Sequence, residues 1–421
     1  MKTGRLWMAT VTTLLLALSV ALSGCGSKQA EAPQKPNVVK IGVIVPISGP
    51  LSAMGETQKM AYEYAMKEIN ESGGIKALNG AKVEFVFGDH QADPKVGASE
   101  VERLIMKEKV VAILGSSPSS VGYTATEVAE RYKVPYYDPV CIMDQITERG
   151  FKYVFRQIHP ASLWGESQIR FLAYLRDTKK QPIKTIALVY ENTDQGQSTA
   201  KGWRKYSEQY KLNIILDEAY PRDQTDFTPL LLKIKEAKPD AILLVSYVSD
   251  AILLQKGFKD NKIEPLAFLG SSSGHSDPSF VRQVGPLAEY MFDLTEWSAD
   301  LKHSPLVKET AEKYQAWNKD HRPLNGAAAY CYVGAWVLKD AIERAASINP
   351  EAIRNALAST NLSTGPASIL PFTPLQFDEK GQAKNTTMIV VQYRDGKRQT
   401  VWPEAVKGID MVVPFPKWDG R

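Results

Sequence analysis

Three cysteines and five histidines are spread over 421 residues. Three thiols cannot build a disulfide framework, and no group of Cys and His has the spacing of a metal site. Strong charge of either sign is also missing. The formal net charge is +4, and Lys2 and Arg5 carry two of those charges, so the remainder of the chain is near +2. No basic stripe is interleaved with aromatic residues, which argues against nucleic acid as a partner. Lys179-Lys180, and Lys233 with Lys235, read as solvated surface. Beyond residue 22 no apolar run is long enough to span a bilayer. No short-period repeat and no low-complexity segment interrupts the chain. What remains is ordinary globular composition, 44% hydrophobic and 23% charged, over a length sufficient for two or more cores.

Lys2 and Arg5 precede an apolar run over 6–22, broken only by small hydroxyl residues, and the run ends in Leu22-Ser23-Gly24-Cys25. This resembles a bacterial lipoprotein signal peptide, in which the small residues fit the peptidase and the Cys thiol takes the lipid. The resemblance implies removal of 1–24, lipidation of Cys25 and attachment on the extracytoplasmic side of the cell membrane, each buried methylene adding roughly 0.8 kcal/mol. A single transmembrane anchor is the competing reading of the same run, and the Leu-Ser-Gly-Cys ending opposes it. Residues 25–37, with Pro33, Pro36 and scattered charge, form a polar tether. Cys141 and Cys331 are then left either as a lone bridge or as two buried free thiols, and the thiols are the expectation.

From residue 38 onward, strand and helix patterns alternate. Strands are expected over 38–45, 82–87, 110–114 and 134–137, with helices over 55–72 and 93–107 and a third after the loop at 115–120. Gly73-Gly74 stops the first helix, and Asp93-Pro94 starts the second with a cap and a proline at its first turn. After residue 155 the alternation restarts, with strands over 184–190, 213–216, 241–245 and 266–269 and helices between them. A strand over 289–295, helices over 306–317, 326–346 and 351–357, and a hairpin around Asp395-Gly396 close the chain. The fold class is therefore α/β, with two doubly wound, mostly parallel sheets. Ligands of such sheets bind at the carboxyl ends of the strands, so the loops at 46–55, 88–93, 115–120 and 138–144 matter most.

The stretch Gly115-Ser116-Ser117-Pro118-Ser119-Ser120-Val121-Gly122 stands out among them. It joins the apolar run Val110-Val111-Ala112-Ile113-Leu114 to a helical pattern. A helix N-terminus offers unpaired N–H groups and partial positive charge to an anionic oxygen, and Ser119 and Ser120 can cap the helix or donate hydroxyls to that oxygen. A plain N-cap is the alternative.

Several short motifs, taken in order, resemble a known family. They are Ile41-Gly42-Val43 through Ser48-Gly49-Pro50, Ile69-Asn70 with Gly73-Gly74-Ile75, Gly88-Asp89 with Asp93-Pro94, Ala112-Ile113-Leu114-Gly115, Val134-Pro135 and Phe377-Asp378-Glu379-Lys380-Gly381. Together they resemble the type I periplasmic-binding fold, in the branched-chain amino acid-binding (leucine-binding) branch of ABC-transporter substrate-binding lipoproteins. The resemblance implies two lobes joined by three hinge crossovers, with lobe 1 at 38–157 plus 289–371 and lobe 2 at 158–287 plus 372–421. It implies a monomeric receptor, without cofactor or metal, that closes over a small organic ligand and presents it to a membrane permease. The carboxylate-binding serine falls at Ser119, backed by Ser120. The next contact falls at Val140 to Ile142, where the usual hydroxyl is absent. The aromatic contact of the first loop falls at Met54, a lobe-2 aromatic at Tyr247, and the acid that pairs an α-ammonium at Ser272. Losing that acid leaves a buried ammonium uncompensated, unless Asp250 or Asp277 substitutes. Trp164 is either an apolar wall of the site or a core residue.

Two other functions compete. Gly270-Ser271-Ser272-Ser273-Gly274, followed by His275 and Asp277, formally matches the nucleophile elbow of a serine hydrolase using Ser272, although His275 lies too close in sequence to reach back. A sensor that presents the ligand to a membrane receptor or chemoreceptor would carry the same motifs. Asp89, His90 and Asp93 read as a turn with a helix cap rather than as metal ligands.

Overall fold

The computed structural model describes residues 36–420 apart from Ser116 and Ser272. The leader, Cys25 and most of the tether therefore lie outside the described residues, as does Ser272.

The first sheet forms from β1 (Val38–Val45), α1 (Ser52–Glu71), β2 (Lys82–Asp89), α2 (Pro94–Met106), β3 (Ile113–Leu114), α3 (Ser119–Tyr132), β4 (Tyr136–Asp138) and β5 (Val154–Arg156). Its order is β2-β1-β3-β4-β5, and every neighbouring pair is parallel. Asp93 caps α2 through the N–H groups of Lys95 and Val96, with Pro94 at the first position, as the sequence dictates. The apolar run at 110–114 yields only a two-residue strand, yet Val111 N–H donates to Lys40 O and Ala112 O accepts from Gly42 N–H, so it still runs beside β1.

The chain then crosses over 157–160 and builds a second sheet. Its elements are α4 (Ala161–Asp177), β6 (Thr185–Glu191), α5 (Asp194–Gln209), β7 (Asn213–Tyr220), α6 (Thr228–Ala237), β8 (Ala241–Val245), α7 (Val248–Asp260), β9 (Ala267–Ser271), the short α8 (Ser273–Ser276), α9 (Pro278–Val284) and β10 (Phe292–Thr295). A return brings α10 (Pro305–Trp317), α11 (Gly326–Ala345), α12 (Pro350–Ala358), β11 (Asn361–Leu362) and β12 (Leu375–Gln376), and the hairpin β13 (Ile389–Arg394) and β14 (Lys397–Trp402) ends the sheet. The order β14-β13-β10-β9-β8-β6-β7 is parallel from β7 to β10 and antiparallel at the β13–β14 edge. The hairpin turn falls at Asp395-Gly396, both with positive φ.

Two lobe boundaries differ from the expectation. β10 pairs with β9 in the second sheet, so the chain leaves that sheet after residue 295 and not at 289. The segment expected to join lobe 2 from residue 372 stays with the first sheet through 383: Arg156 N–H donates to Gly381 O and Ala383 N–H to Arg156 O. Both shifts arise because pairing partners lie far apart in the chain, beyond what local periodicity reports. Three crossovers remain, near 157–160, 296–304 and 384–388. Helix α11 is buried along most of its length, and the Glu343 carboxylate accepts from Lys76 and Ala77 N–H of the first lobe.

Candidate functional site

In the first lobe the expected platform is present. Gly115 N–H donates to Tyr137 O, and Gly115 O accepts from the buried Tyr62 hydroxyl at 2.6 Å. The N-cap of α3 is Pro118, which makes no side-chain cap; this corrects the expectation that Ser119 or Ser120 caps the helix. A proline cannot supply a capping oxygen, so Ser119 and Ser120 become the first two helical residues. Val121 and Gly122 N–H turn back onto Pro118 O, which leaves Ser119 and Ser120 at the head of the helix. Ser120 is exposed and Ser119 half-buried. The Ser119 oxygen accepts from Ile142 N–H at 3.1 Å and Met143 N–H at 3.3 Å, which uses both of its lone pairs, and its O–H reaches the Cys141 sulfur.

Those bonds bind the loop after β4 to α3. Val140 and Cys141 N–H donate to Asp138 Oδ1 at 3.0 and 2.8 Å, so the backbone donors of this loop serve the fold itself. Burial raises the Asp138 carboxyl above its ordinary range, against the pull of those N–H groups and of Arg156. Val140 is 6% exposed, a core position, whereas Ile142 and Met54 are half-buried. The 46–55 loop is braced by Asp89, whose carboxylate accepts from the Ser48 hydroxyl at 2.6 Å and from Ile47 N–H at 2.9 Å. Burial opposes the Asp89 charge, but these bonds outweigh it and hold its pKa below the usual carboxylate value.

In the second lobe Tyr247 is half-buried at the N-cap of α7, with the Arg222 guanidinium carbon 4.5 Å from its ring centre. Its N–H donates to Asp250 Oδ2, which also accepts from the Tyr220 hydroxyl at 2.5 Å; Asp250 Oδ1 is buried without a hydrogen-bond partner. Asp277 instead caps α9 through Ser279 N–H. The segment after β9 lies against Tyr247, since Gly274 N–H donates to Ser246 O and Gly274 packs on the Tyr247 carbonyl. Glu191, at the end of β6, accepts from Thr193 and Gly196 N–H and is fully buried. Local pattern passed over Glu191, Tyr220 and Arg222; the one available signal was their place at or just after strand ends. Trp164, in α4, is 6% exposed, and its Nε1 is buried without a hydrogen-bond partner among the described residues.

Of the residues that match a nucleophile elbow, Ser272 lies outside the described residues, and His275 and Asp277 are engaged elsewhere. His275 is buried against Phe280, and burial with the nearby Arg398 charge brings its pKa down to about 4. Its Nδ1 lies 3.3 Å from Ser246, and Asp277 is occupied as a cap. Cys141 and Cys331 are buried thiols with no disulfide between them. Asp89 and Asp93 act as loop brace and helix cap, and no group of metal-ligand type occurs among the described residues.

A family model described as periplasmic binding protein matches residues 38–398. The Leu/Ile/Val-binding protein homolog 7 of Brucella abortus (strain 2308) is 30% identical over 409 residues, covering 95% of this chain and 99% of its own length. The crystal structure of a branched-chain amino acid transporter substrate-binding protein of Streptococcus pneumoniae, in complex with isoleucine, superposes with a TM-score of 0.74 at 25% identity, over 90% of this chain and 100% of that one. A leucine-binding protein of Thermotoga maritima shares the fold at 24% identity and a TM-score of 0.73, over 88% of this chain and 98% of its own.

Proposed function

The chain belongs to the periplasmic binding protein family, and on that premise we propose that it is the solute receptor of an ABC importer. The family places it outside the cytoplasm; the lipid on Cys25 is part of the proposal, as is a monomeric receptor that hands its ligand to a membrane permease. The ligand is a branched-chain amino acid or a close carboxylate relative. The relatives' names, and the isoleucine in one superposing structure, support that class. No chemical step is assigned to the chain.

The observation that carries the reading is the head of α3. Ser119 and Ser120 begin a helix at the carboxyl end of β3, where N–H groups and hydroxyl protons suit a carboxylate. Lobe 1 then comprises 38–157 with the segment from α10 to 383, and lobe 2 the rest of the described chain. Tyr247, Met54 and Ile142 shape the apolar part of the cleft. Asp250, directly beneath Tyr247, is the acid best placed to favour an ammonium. The three crossovers let the lobes close and exclude water.

The test is thermal unfolding of the mature, unlipidated chain with leucine, isoleucine, valine and their 2-oxo acids. A ligand at about a hundred times its dissociation constant adds roughly 2.7 kcal/mol, a rise of several degrees. Stabilisation by the amino acids supports the reading. Stabilisation by the oxo acids alone assigns the site to simple carboxylates, and no shift from either set removes the ligand class.

A further inference from the structure

Helix α4 opens the second lobe directly after the first crossover, and its N-cap is Pro160, which makes no side-chain cap. A helix start leaves N–H groups unmet unless something outside the helix accepts from them. Here the first lobe supplies the acceptors. Ala161 N–H donates to Ile142 O at 2.6 Å, and Ser162 N–H donates to Asp144 Oδ1 at 3.1 Å. The carboxylate also sits where the partial positive charge of a helix start favours an anion. Asp144 belongs to a short 3-10 turn (Asp144–Ile146) and is half-buried.

The same segment is tied to the head of α3. Ile142 and Met143 N–H both donate to the Ser119 oxygen, and Met143 O accepts from Arg156 Nη1. The tripeptide Ile142-Met143-Asp144 thus holds the candidate ligand helix through its N–H groups and the second lobe through a carbonyl and a carboxylate. On the far side the grip is stiff, because a Cβ on Gly202 of α5 would meet Ser162 O at 2.4 Å. A shift of Ser162 therefore carries α4 and α5 together.

We propose that Asp144 is a positioning residue for the ligand site: as a cap supplied across the first crossover, its carboxylate fixes the angle at which the second lobe meets the head of α3. Without it the second lobe samples more orientations, and fewer of them bring Tyr247 over Ser119. The apparent Kd rises as the competent fraction falls. The part of this proposal that concerns affinity rests on the ligand reading given above; the part that concerns lobe orientation does not.

The test uses the mature, unlipidated chain with spin labels at Lys95→Cys on α2 and Lys235→Cys on α6, both exposed positions, while Cys141 and Cys331 are buried. Pulsed dipolar spectroscopy reads the distance between the lobes without ligand. Asp144→Ala should broaden that distribution. Asp144→Asn keeps an acceptor oxygen but drops the charge that acts on Arg156, and it should restore the parent width. Calorimetry with L-leucine should show Kd raised roughly three- to tenfold in Asp144→Ala, the scale of one lost helix cap, and near the parent value in Asp144→Asn. An unchanged width in Asp144→Ala overturns the proposal. So does an Asn variant as broad as the Ala one, which assigns the effect to charge, or a broadened Ala variant with unchanged leucine affinity. Broadening with rescue, in a chain whose parent binds no leucine, supports the cap across the lobes and counts against the ligand reading instead.

Discussion

Ser119 has two tasks on one oxygen. Its lone pairs hold Ile142 and Met143 N–H, and its proton can turn from the Cys141 sulfur to a ligand. Ser119→Ala therefore loosens the loop after β4 and removes a donor at once. Ligand affinity should fall by about 1.5–3 kcal/mol, the range of a hydrogen bond to a charged group, read as a rise in Kd of roughly ten- to 150-fold by calorimetry. Unchanged affinity would take Ser119 out of the site. Asp250 makes a different prediction. It supports Tyr247 through N–H, and its Oδ1 has no partner, so Asp250→Asn should reduce affinity for leucine more than for 4-methyl-2-oxopentanoate. Equal losses would make Asp250 a structural residue only.

At the scale of elements, the packing of α4 on α5 rests on two glycines. A Cβ on Gly165 would meet Thr199 O at 2.5 Å, and one on Gly202 would meet Ser162 O at 2.4 Å. The helices approach until backbone touches backbone. Gly165→Val should destabilise the chain by about 1–3 kcal/mol through overpacking, seen as a lower urea midpoint with little change in slope. This contact also shows where sequence reasoning stops. The cap at Asp93, the Gly73-Gly74 stop and the Asp395-Gly396 turn were legible because each is set by residues within a few positions of itself, whereas the cap at Asp277 was not read. The serine loop was legible for the same reason, although its cap was not the serine. Strand β5 and the pair β11–β12 were missed: two or three residues carry no period, and their partners lie far off in the chain. Glu191 and Tyr220 escaped likewise, since the Tyr220–Asp250 bond spans 30 positions.

Across the whole molecule, Arg156 ties the first crossover to the third. It is 1% exposed; its Nε donates to Gln382 Oε1 at 2.5 Å and its Nη2 to Thr147 Oγ1 at 3.0 Å, while Gln382 donates to Ile158 O at 2.9 Å. Arg156→Met strands several of these acceptors and should cost about 2–4 kcal/mol in chemical unfolding. The buried histidines oppose stability in acid. His90, His159 and His275 are buried, and burial lowers each from the ordinary 6.5 to about 4. The unfolded chain takes up these protons first as pH drops, so stability is full above about pH 6.5 and declines as pH falls toward 4. At about 1.36 kcal/mol per pKa unit, each histidine removes on the order of 1–2 kcal/mol by pH 5. Burial also raises Asp138, Glu191, Asp250, Glu296 and, to about 6, Asp293, which works in the opposite direction. The test is therefore His159→Phe, which should make the urea midpoint fall less between pH 7 and pH 5 than in the parent chain, and an unchanged fall would contradict this. The central claim is that the two lobes hold one small amino acid between the head of α3 and Tyr247. The most direct measurement is a crystal structure of the mature chain grown with L-leucine. The account predicts density between the lobes, with the carboxylate on Ser119 and Ser120 and the ammonium toward the second lobe. A cleft empty at saturating leucine, or a ligand with its carboxylate turned away from Ser119, would contradict it.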